Sequence, residues 1–267
     1  MVLFSKFGQS NNNRLHLPDF MNSLRLSKYF FAILVSFSGL IIPKFASAQT
    51  TYQDYINKGN SKDSLKDYKG AIADFTQAIK LEPAKADPLY YKGNAEFDLS
   101  DFKDAAEDYA KAIAMDPNYS EAYFNAGNAL YELKKYDEAI SDFTKFITLK
   151  PSVAEAYYDR ANASVKNKDY NSAIDDYKQA FTINPNYFQA YYDRGNLYFN
   201  LKMFHEAAED YSQVVKLAPK DYHAWFNRAM AEFNLDDANA GCEDLNKAKE
   251  LGDPDAEEFI NELCSEP

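Results

Sequence analysis

The amino-acid sequence predicts an all-α solenoid of six helix-turn-helix units with a C-terminal capping helix. One proline recurs every 34 residues, at Pro83, Pro117, Pro151, Pro185 and Pro219. A column of small residues runs in the same register, at Gly59, Gly93, Gly127, Ala161, Gly195 and Ala229. An aromatic column accompanies them, at Phe75, Tyr109, Phe143, Tyr177 and Tyr211, with Leu245 in the last unit. Self-similarity at such a fixed period is the sequence signature of a repeat architecture.

The segment 1–48 is predicted to be a signal peptide. Residues 1–28 are polar and basic, residues 29–42 are an uncharged stretch, and Ala46-Ser47-Ala48 follows Pro43-Lys44. A basic leader, a short apolar core and small residues two apart are typical of secretion, so we predict cleavage after Ala48. A membrane anchor is the alternative, but spanning needs about 20 apolar residues and Pro43-Lys44 ends the stretch first. No stable membrane span is expected after cleavage.

This leader predicts an exported protein that is periplasmic or secreted. A plastid lumen is the alternative, because residues 1–28 are long for a bacterial leader. Cleavage would remove five basic residues and one acidic residue, which changes the formal charge from −12 to −16. Binding of nucleic acid needs a basic patch on the protein, and an acidic surface repels the phosphate backbone. No nucleic-acid partner is therefore expected.

Six units of 34 residues cover residues 52–255, in the ranges 52–85, 86–119, 120–153, 154–187, 188–221 and 222–255. Each reads as two helices. In the third unit, Tyr123, Gly127 and Leu130 have helical spacing on the first helix. A short break at Leu133-Lys134-Lys135 follows, and the second helix carries Ala139, Phe143 and Ile147. We expect Gly127 and Ala139 to face each other across the hairpin. Proline then ends the second helix, because it lacks an N–H group and clashes with the preceding turn.

This pattern of a large residue, glycine and an aromatic, then alanine, an aromatic and alanine, then proline resembles the tetratricopeptide repeat family. The resemblance covers nearly the whole chain after residue 48. It implies a right-handed superhelix of helical hairpins with a concave groove that binds peptides or proteins. It does not identify the partner. Asp253 stands where a sixth proline is expected, and Phe146 and Val214 replace small residues.

Positions two, five, nine, twelve and thirteen of each unit share one face of the first helix. We expect this face to line the groove and to bind an extended peptide. An amide row would hydrogen-bond the peptide backbone, and it consists of Asn60, Asn94, Asn128, Asn162 and Asn196. Two aromatic columns would give apolar contact, and their candidate residues are Tyr90, Phe124, Tyr158, Tyr192 and Phe226, then Tyr131 and Phe199. The alternative is that the amides only link adjacent helices and the rings only fill the seam between units.

Groove acids such as Glu121, Asp98 and Glu155 favour a basic partner, although a solvated acidic face explains them nearly as well. Some members of the family clamp a C-terminal carboxylate with Lys and Arg on this face. The corresponding places here hold Ile56, Asn60, Asn125, Glu155 and Asp159. No ligand of the carboxylate-clamp type is therefore expected.

One aspartate recurs in every unit, at Asp74, Asp108, Asp142, Asp176, Asp210 and Asp244. Basic residues accompany the row, at Lys58, Lys92, Arg160, Arg194 and Arg228. We interpret them as structural ion pairs between helices, because Arg and carboxylate pair bidentately. Metal binding is the disfavoured alternative, because the acids are one hairpin apart.

The C-terminal segment 256–267 is predicted to form the capping helix that a solenoid end requires. Cys242 lies ten residues before Gly252, and Cys264 lies eleven after Asp253. In an antiparallel hairpin that symmetry puts them at one level, and an exported protein meets an oxidising compartment. A disulfide between Cys242 and Cys264 is therefore predicted.

No constellation for catalysis is found, and the sequence predicts no enzyme, cofactor or metal site. His205 and Glu206 begin a pattern like a zinc-protease helix, but the second histidine is absent. We expect a scaffold that binds a protein or peptide in its groove. The alternative is a structural or assembly subunit of a cell-envelope complex, held through its convex face or its ends.

Overall fold

The computed structural model describes residues 50–264, so the predicted signal peptide lies outside the described residues. Thirteen α-helices and no strand are found in this range. They are α1 Tyr52–Ser64, α2 Tyr68–Leu81, α3 Asp87–Asp98, α4 Phe102–Met115, α5 Ser120–Glu132, α6 Tyr136–Leu149, α7 Ala154–Lys166, α8 Tyr170–Ile183, α9 Phe188–Asn200, α10 Phe204–Leu217, α11 Tyr222–Asn234, α12 Ala238–Glu250 and α13 Ala256–Leu263. The prediction of an all-α solenoid of helical hairpins is confirmed.

Each of the six predicted units contains one pair of helices, and every helix packs most closely against its neighbours along the chain. The two helices of a pair are joined by a turn whose central residue has a left-handed backbone. These residues have φ between 60° and 65°, and they are Lys66, Ser100, Lys134, Lys168, Lys202 and Asp236. None is glycine, so each turn carries the steric cost of a side chain in that region.

The second helix of each of the first five pairs ends two residues before the recurring proline. α2, for example, ends at Leu81, and Glu82 has φ −131° and ψ 77° ahead of Pro83. A residue before proline is driven out of the helical region by the proline Cδ. The same geometry recurs at Asp116, Lys150, Asn184 and Ala218.

The small-residue column lets an aromatic ring approach the backbone of the first helix. A Cβ atom added to Gly127 would lie 2.7 Å from Cε1 of Phe143, and one added to Gly59 would lie 2.4 Å from Phe75. The ring that requires Gly127 is thus Phe143. The sequence-based expectation had assigned this role to Ala139, which lies one helical turn earlier. Phe143 and Ala139 are both fully buried, so the hairpin core is built around the ring.

Ion pairs between the two helices of a hairpin form along most of the aspartate row. Three of these pairs are bidentate, with two guanidinium nitrogen atoms donating to one carboxylate at 2.6–2.8 Å. They are Arg160 with Asp176, Arg194 with Asp210 and Arg228 with Asp244. Lys92 pairs with Asp108.

The prediction for Lys58 was wrong. Asp74 pairs with Lys62 at 2.6 Å, while Lys58 lies over the ring of Tyr55, 5.4 Å from its centroid. The aspartate row otherwise acts as predicted, except at Asp142, which has no basic partner at the corresponding place.

The capping helix α13 covers the last hairpin. Phe259 packs edge-on against Phe226 with ring centroids 5.1 Å apart, and Ala256 is fully buried. Cys242 in α12 and Cys264, directly after α13, are joined by a disulfide bond with a Cα–Cα distance of 5.8 Å. The bond ties the cap to the final repeat.

Candidate functional site

We call the side of α1, α3, α5, α7, α9 and α11 that carries the asparagine row the groove face. Four of its asparagines, Asn94, Asn128, Asn162 and Asn196, are half-buried, while Asn60 at the first repeat is exposed. The row has one asparagine, nine residues into its unit, in each of the first five repeats, and Met230 takes that place in α11. It therefore places an amide group at five of the six steps along the face.

The side-chain oxygen of Asn94 is already used within the fold. It accepts a hydrogen bond from the hydroxyl group of Tyr109 at 2.8 Å and one from the amide of Asn125 at 2.8 Å. Asn125 also donates to the hydroxyl oxygen of Tyr90 at 3.2 Å. Because Asn125 belongs to the next repeat, this polar cluster joins a hairpin to its neighbour. The N–H groups of the Asn94 amide are the donors that remain for a partner.

The same cluster recurs where the second helix of the hairpin carries tyrosine. Tyr211 donates to Asn196 at 2.8 Å, and Asn227 of the next repeat donates to Tyr192 at 2.9 Å. Tyr177 donates to Asn162 at 2.6 Å, and there the next repeat contributes a carboxylate instead. That carboxylate is Asp193, which accepts from Tyr158 at 2.5 Å. Repeats with Phe75 or Phe143 have no hydroxyl group at this place.

The first aromatic column packs against the second helix of its own hairpin and belongs to hydrophobic clusters that reach the next repeat, at Ala122 and Ala190. Tyr90, Tyr158 and Tyr192 lie 5.9–6.0 Å, by ring centroids, from the buried tyrosines Tyr109, Tyr177 and Tyr211. Phe124 lies 5.8 Å from Phe143, and Phe226 contacts the cap. All five rings of the column remain half-buried. Seam packing was one of the two roles expected for them, and contact with a partner stays a prediction.

The second aromatic column contacts the start of the following helix. Phe97 packs against Phe102, and Phe199 against Phe204, with ring centroids 5.1 and 5.3 Å apart. Tyr131 packs against Tyr136 at 5.5 Å. These rings stand beside the asparagine row and are half-buried, so each keeps one surface open.

Two hollows on the groove face bring the predicted residues together. The first encloses about 310 Å³, and its lining residues are Asp63, Asn94, Phe97, Asp98, Tyr109, Asn125 and Asn128. The second encloses about 450 Å³, and its lining residues are Asn196, Phe199, Asn200, Tyr211, Phe226, Asn227 and Met230. Asn94, Tyr109 and Asn125 correspond to Asn196, Tyr211 and Asn227 after a shift of three repeats. The two hollows therefore offer the same polar cluster beside an equivalent phenylalanine ring, Phe97 in the first and Phe199 in the second.

The charge along the groove face is negative. At the five groove positions of all six repeats, Lys166 is the one basic residue apart from His223. Burial raises the pKa of Asp63 in the first hollow, and the nearby charge of Asp98 raises it further. A cation placed beside Asp63 would favour its ionised form.

Two further groove carboxylates are affected by burial. Burial, helped by the charge of Glu155, raises the pKa of Asp159 to about 7. Burial also raises the pKa of Asp193, although the hydrogen bonds from Tyr158 and Asn196 act in the opposite direction. Asp159 is thus partly protonated near neutral pH, and a basic partner group would favour its ionised form.

The sequence analysis did not identify the hydrogen bonds between repeats that Asn125, Asp193 and Asn227 form in the polar clusters. The signal was present, because each of these residues follows a groove-face tyrosine by 35 residues. It also follows a hairpin whose second helix carries tyrosine and not phenylalanine. Residue types that change together from repeat to repeat predict a shared contact.

The remaining chemistry of the described residues is limited. Across residues 50–264, no group of three or more His, Cys, Asp or Glu side chains is placed to hold a metal ion. His205 and Glu209 form an exposed pair at 3.4 Å. In the same range, no helix is both long and apolar enough to cross a membrane.

Family comparison agrees with this architecture. Models described as tetratricopeptide repeat match residues 56–120, 90–154 and 188–221, and one described as TPR repeat matches residues 161–202. Together the matches cover more than half of the chain. No curated protein sequence matches it.

Solved structures with the same fold include bacterial repeat proteins. A crystal structure of MamA is 26% identical with a TM-score of 0.58, covering 62% of this chain and 96% of its own. YrrB, described as a TPR protein with an unusual peptide-binding site, is 24% identical with a TM-score of 0.62, covering 71% and 98%. PilF of Pseudomonas aeruginosa is 20% identical with a TM-score of 0.62, covering 79% and 97%.

Proposed function

The chain belongs to the tetratricopeptide repeat family, and we propose that it is a non-enzymatic scaffold that binds a segment of another protein along its groove face. Proteins of this family serve as interaction scaffolds. The observation that carries the proposal is the pair of equivalent hollows, three repeats apart. A polypeptide offers carbonyl oxygens along its length, and the amides of Asn94 and Asn196 can donate to them, with one N–H group of Asn196 left after its bond to Asp193.

The binding mode follows from the direction of each amide. The Asn94 oxygen is held by Tyr109 and Asn125, so its N–H groups have a fixed orientation before a partner arrives. Fixed donors lose little conformational freedom on binding, which favours affinity. Phe97 and Phe199 provide apolar contact beside the two clusters, as rigid aromatic side chains do at many interfaces.

The partner segment should be basic. Asp63 and Asp98 line the first hollow, and Asp159 and Asp193 lie further along the face. An arginine or lysine placed beside Asp63, Asp159 or Asp193 would pair with a carboxylate whose charged form is disfavoured by burial. The scarcity of basic residues on the face also disfavours a partner bound through a terminal carboxylate.

The groove can be tested with variants that keep the fold intact. Asn94→Asp and Asn196→Asp retain the side-chain oxygen that accepts from Tyr109 or Tyr211 but replace the N–H donors by an oxygen. The double variant should bind its partner at least about tenfold more weakly, since two donor contacts are lost. Asn171→Asp, exposed on α8, adds the same charge away from the groove face and should bind normally.

The measurement is quantitative affinity purification from the native extract with each protein as bait, followed by titration of the recovered partner. A partner kept by Asn171→Asp and lost by the double variant supports the groove. A partner kept equally by both contradicts it and favours an assembly subunit held through another surface.

We also propose that the protein is exported after cleavage following Ala48, into the periplasm or the medium, or into a plastid lumen. The leader pattern of residues 1–48 supports this, together with two cysteines placed to form a disulfide. N-terminal sequencing of the native protein should begin at Gln49. A native protein that retains the residues before Ala48 would contradict cleavage.

A further inference from the structure

The basic residues of the aspartate row do more than pair within their hairpin. Arg160 binds Asp176 through Nε and Nη2 at 2.7 Å, and its Nη1 donates to Thr144 of the preceding repeat at 2.9 Å. Arg228 binds Asp244 and reaches Ser212 of its preceding repeat at 3.2 Å. The guanidinium group thus fills the seam between two repeats on the side away from the asparagine row.

The third repeat lacks this group. Ala126 stands where Arg160 and Arg228 stand in later repeats, and Ala110 replaces the hydroxyl residue of the preceding repeat. The equivalent carboxylate, Asp142, has neither an ion pair nor a hydrogen bond to any side chain within residues 50–264. Burial raises its pKa to about 6, and the neighbouring charge of Glu138 contributes. The third repeat thus keeps the aspartate of the row, Asp142, but has no basic residue to pair with it.

A hollow lies at this place, which we call the seam pocket. It encloses about 630 Å³, and its lining residues are Lys103, Ala106, Glu107, Ala110, Ala126, Leu130, Leu133, Lys135, Glu138, Ser141 and Asp142. The equivalent hollow around Arg160 and Asp176 encloses about 390 Å³. The two lysines of the seam pocket have other acids nearby, Lys135 with Glu138 at 3.2 Å and Lys103 with Glu107 at 4.0 Å.

We propose that the seam pocket receives an arginine side chain of a partner polypeptide, whose guanidinium pairs with Asp142. This occupant reproduces what the chain itself supplies at Arg160, Arg194 and Arg228. The aliphatic wall of Ala106, Ala110, Leu130 and Leu133 suits the alkyl stem of the arginine.

The third repeat also keeps the aromatic position that accompanies the arginine in later repeats. Tyr123 occupies the position of Tyr157 and Trp225, whose ring centroids lie 5.6 and 4.9 Å from the guanidinium carbon of Arg160 and Arg228. Lys92 shows that a lysine can also pair with an aspartate of the row, but only arginine pairs bidentately with the carboxylate while its plane lies on a ring. The chemistry of the pocket therefore favours arginine over lysine or a polyamine.

The seam pocket shares no residue with the two hollows of the groove face. The two proposals can therefore be tested independently of each other. The probe is the capped tripeptide acetyl-Gly-Arg-Gly-amide, titrated into the purified isotope-labelled protein and followed by NMR. We expect shifts centred on Ala126, Ser141 and Asp142. The same tripeptide with citrulline, a neutral isostere of arginine, should bind at least about tenfold more weakly.

Two variants test the assignment. Asp142→Asn removes the carboxylate and should abolish the difference between arginine and citrulline. Ala126→Arg restores the base of the chain itself and should exclude the tripeptide, with a melting temperature no lower than that of the parent protein. Ala114→Arg, at an exposed place on α4, is the matched control and should leave binding unchanged.

Equal binding of the arginine and citrulline peptides would overturn the proposal. So would arginine binding that survives in Asp142→Asn or in Ala126→Arg, because the contact would then lie elsewhere. Saturable binding of spermidine with no binding of the arginine tripeptide would also overturn it, since it would assign the pocket to a polyamine.

Discussion

Tyr109 donates its hydroxyl hydrogen to the side-chain oxygen of Asn94 across the second hairpin, at 2.8 Å. The bond fixes which edge of the amide faces outward on the groove face. Asn125 of the next repeat donates to the same oxygen, so a neighbouring hairpin also depends on this one amide. The residue proposed to meet a partner is thus at the same time a link in the solenoid.

Tyr109→Phe should lower the free energy of unfolding by about 0.5–1.5 kcal/mol, because it removes one hydrogen bond from a buried ring. Denaturant unfolding followed by circular dichroism measures the change. The matched control is Phe143→Tyr, which adds a hydroxyl group beside Asn128 in a repeat without the cluster. If Tyr109→Phe were as stable as the parent protein, the hydrogen bond from Tyr109 to Asn94 would contribute nothing to the free energy of unfolding.

Asp142 should make the protein less stable as the pH rises. Its folded pKa is raised to about 6 from the usual 3.8, so ionisation is easier in the unfolded chain. The stability difference is absent below about pH 4, grows as the pH passes through 6, and is complete above about pH 7.

Asp142→Asn should therefore be more stable than the parent protein by about 1–3 kcal/mol at pH 7.5 and nearly equal to it at pH 4. Denaturant unfolding at both pH values measures this. Asp176→Asn is the matched variant, because Asp176 is 6% exposed and paired with Arg160. It should lose about 1.5–3 kcal/mol at pH 7.5, since half-buried Arg160 loses the carboxylate that accepts its hydrogen bonds. A loss of stability in both variants would contradict the account of Asp142.

Reduction of the Cys242–Cys264 bond should loosen the cap. The bond spans 22 residues, and a loop of that size contributes about 2–4 kcal/mol in the chain-entropy description. Unfolding with and without a reductant should differ by that amount. The double variant Cys242→Ser, Cys264→Ser should not respond to the reductant. Non-reducing mass mapping that found two free thiols would contradict the bond.

Lys134→Gly should stabilise the third hairpin by up to about 1 kcal/mol. Lys134 has φ 61°, in the left-handed region, where a residue with a side chain pays a steric cost of about 1–2 kcal/mol. Glycine avoids this steric cost, but it loses more conformational entropy on folding, so only part of the gain remains. Lys145→Gly is the matched control, since it is also exposed but lies inside α6, where glycine costs about 1 kcal/mol. Thermal melts of both variants should shift in opposite directions. A destabilised Lys134→Gly protein would contradict the strain assigned to the turn.

Most of the fold was predictable because one period organises it. Proline positions mark where the second helices end, and small residues such as Gly127 mark where a ring approaches the first helix. The exceptions come from side-chain reach. Lys62, four residues after Lys58, is the lysine that reaches Asp74, and a pattern by position cannot distinguish the two.

The candidate site was predicted only in outline. The asparagine row and its flanking rings were visible as columns, but helical spacing cannot tell a ring on the groove face from one in the seam. Tyr90 and Tyr158 share the groove direction of Asn94 and Asn162, yet they pack against buried tyrosines. Contacts within each hairpin and between neighbouring repeats decide this, and they depend on how the helices pack.

The polar clusters also set where the solenoid can deform. In a solenoid each repeat contacts only its neighbours, so its compliance is distributed over the individual boundaries. Asn125, Asp193 and Asn227 fasten three boundaries on the groove face. The boundaries after the first and third repeats, whose hairpins carry Phe75 and Phe143 in place of tyrosine, have no such cluster among the described residues. The third boundary is held away from the groove face, where Arg160 donates to Thr144 at 2.9 Å and Asn167 donates to Asp137 at 2.7 Å. A load that opens or closes the groove should therefore be taken up first at these two boundaries, which would act as springs between stiffer segments.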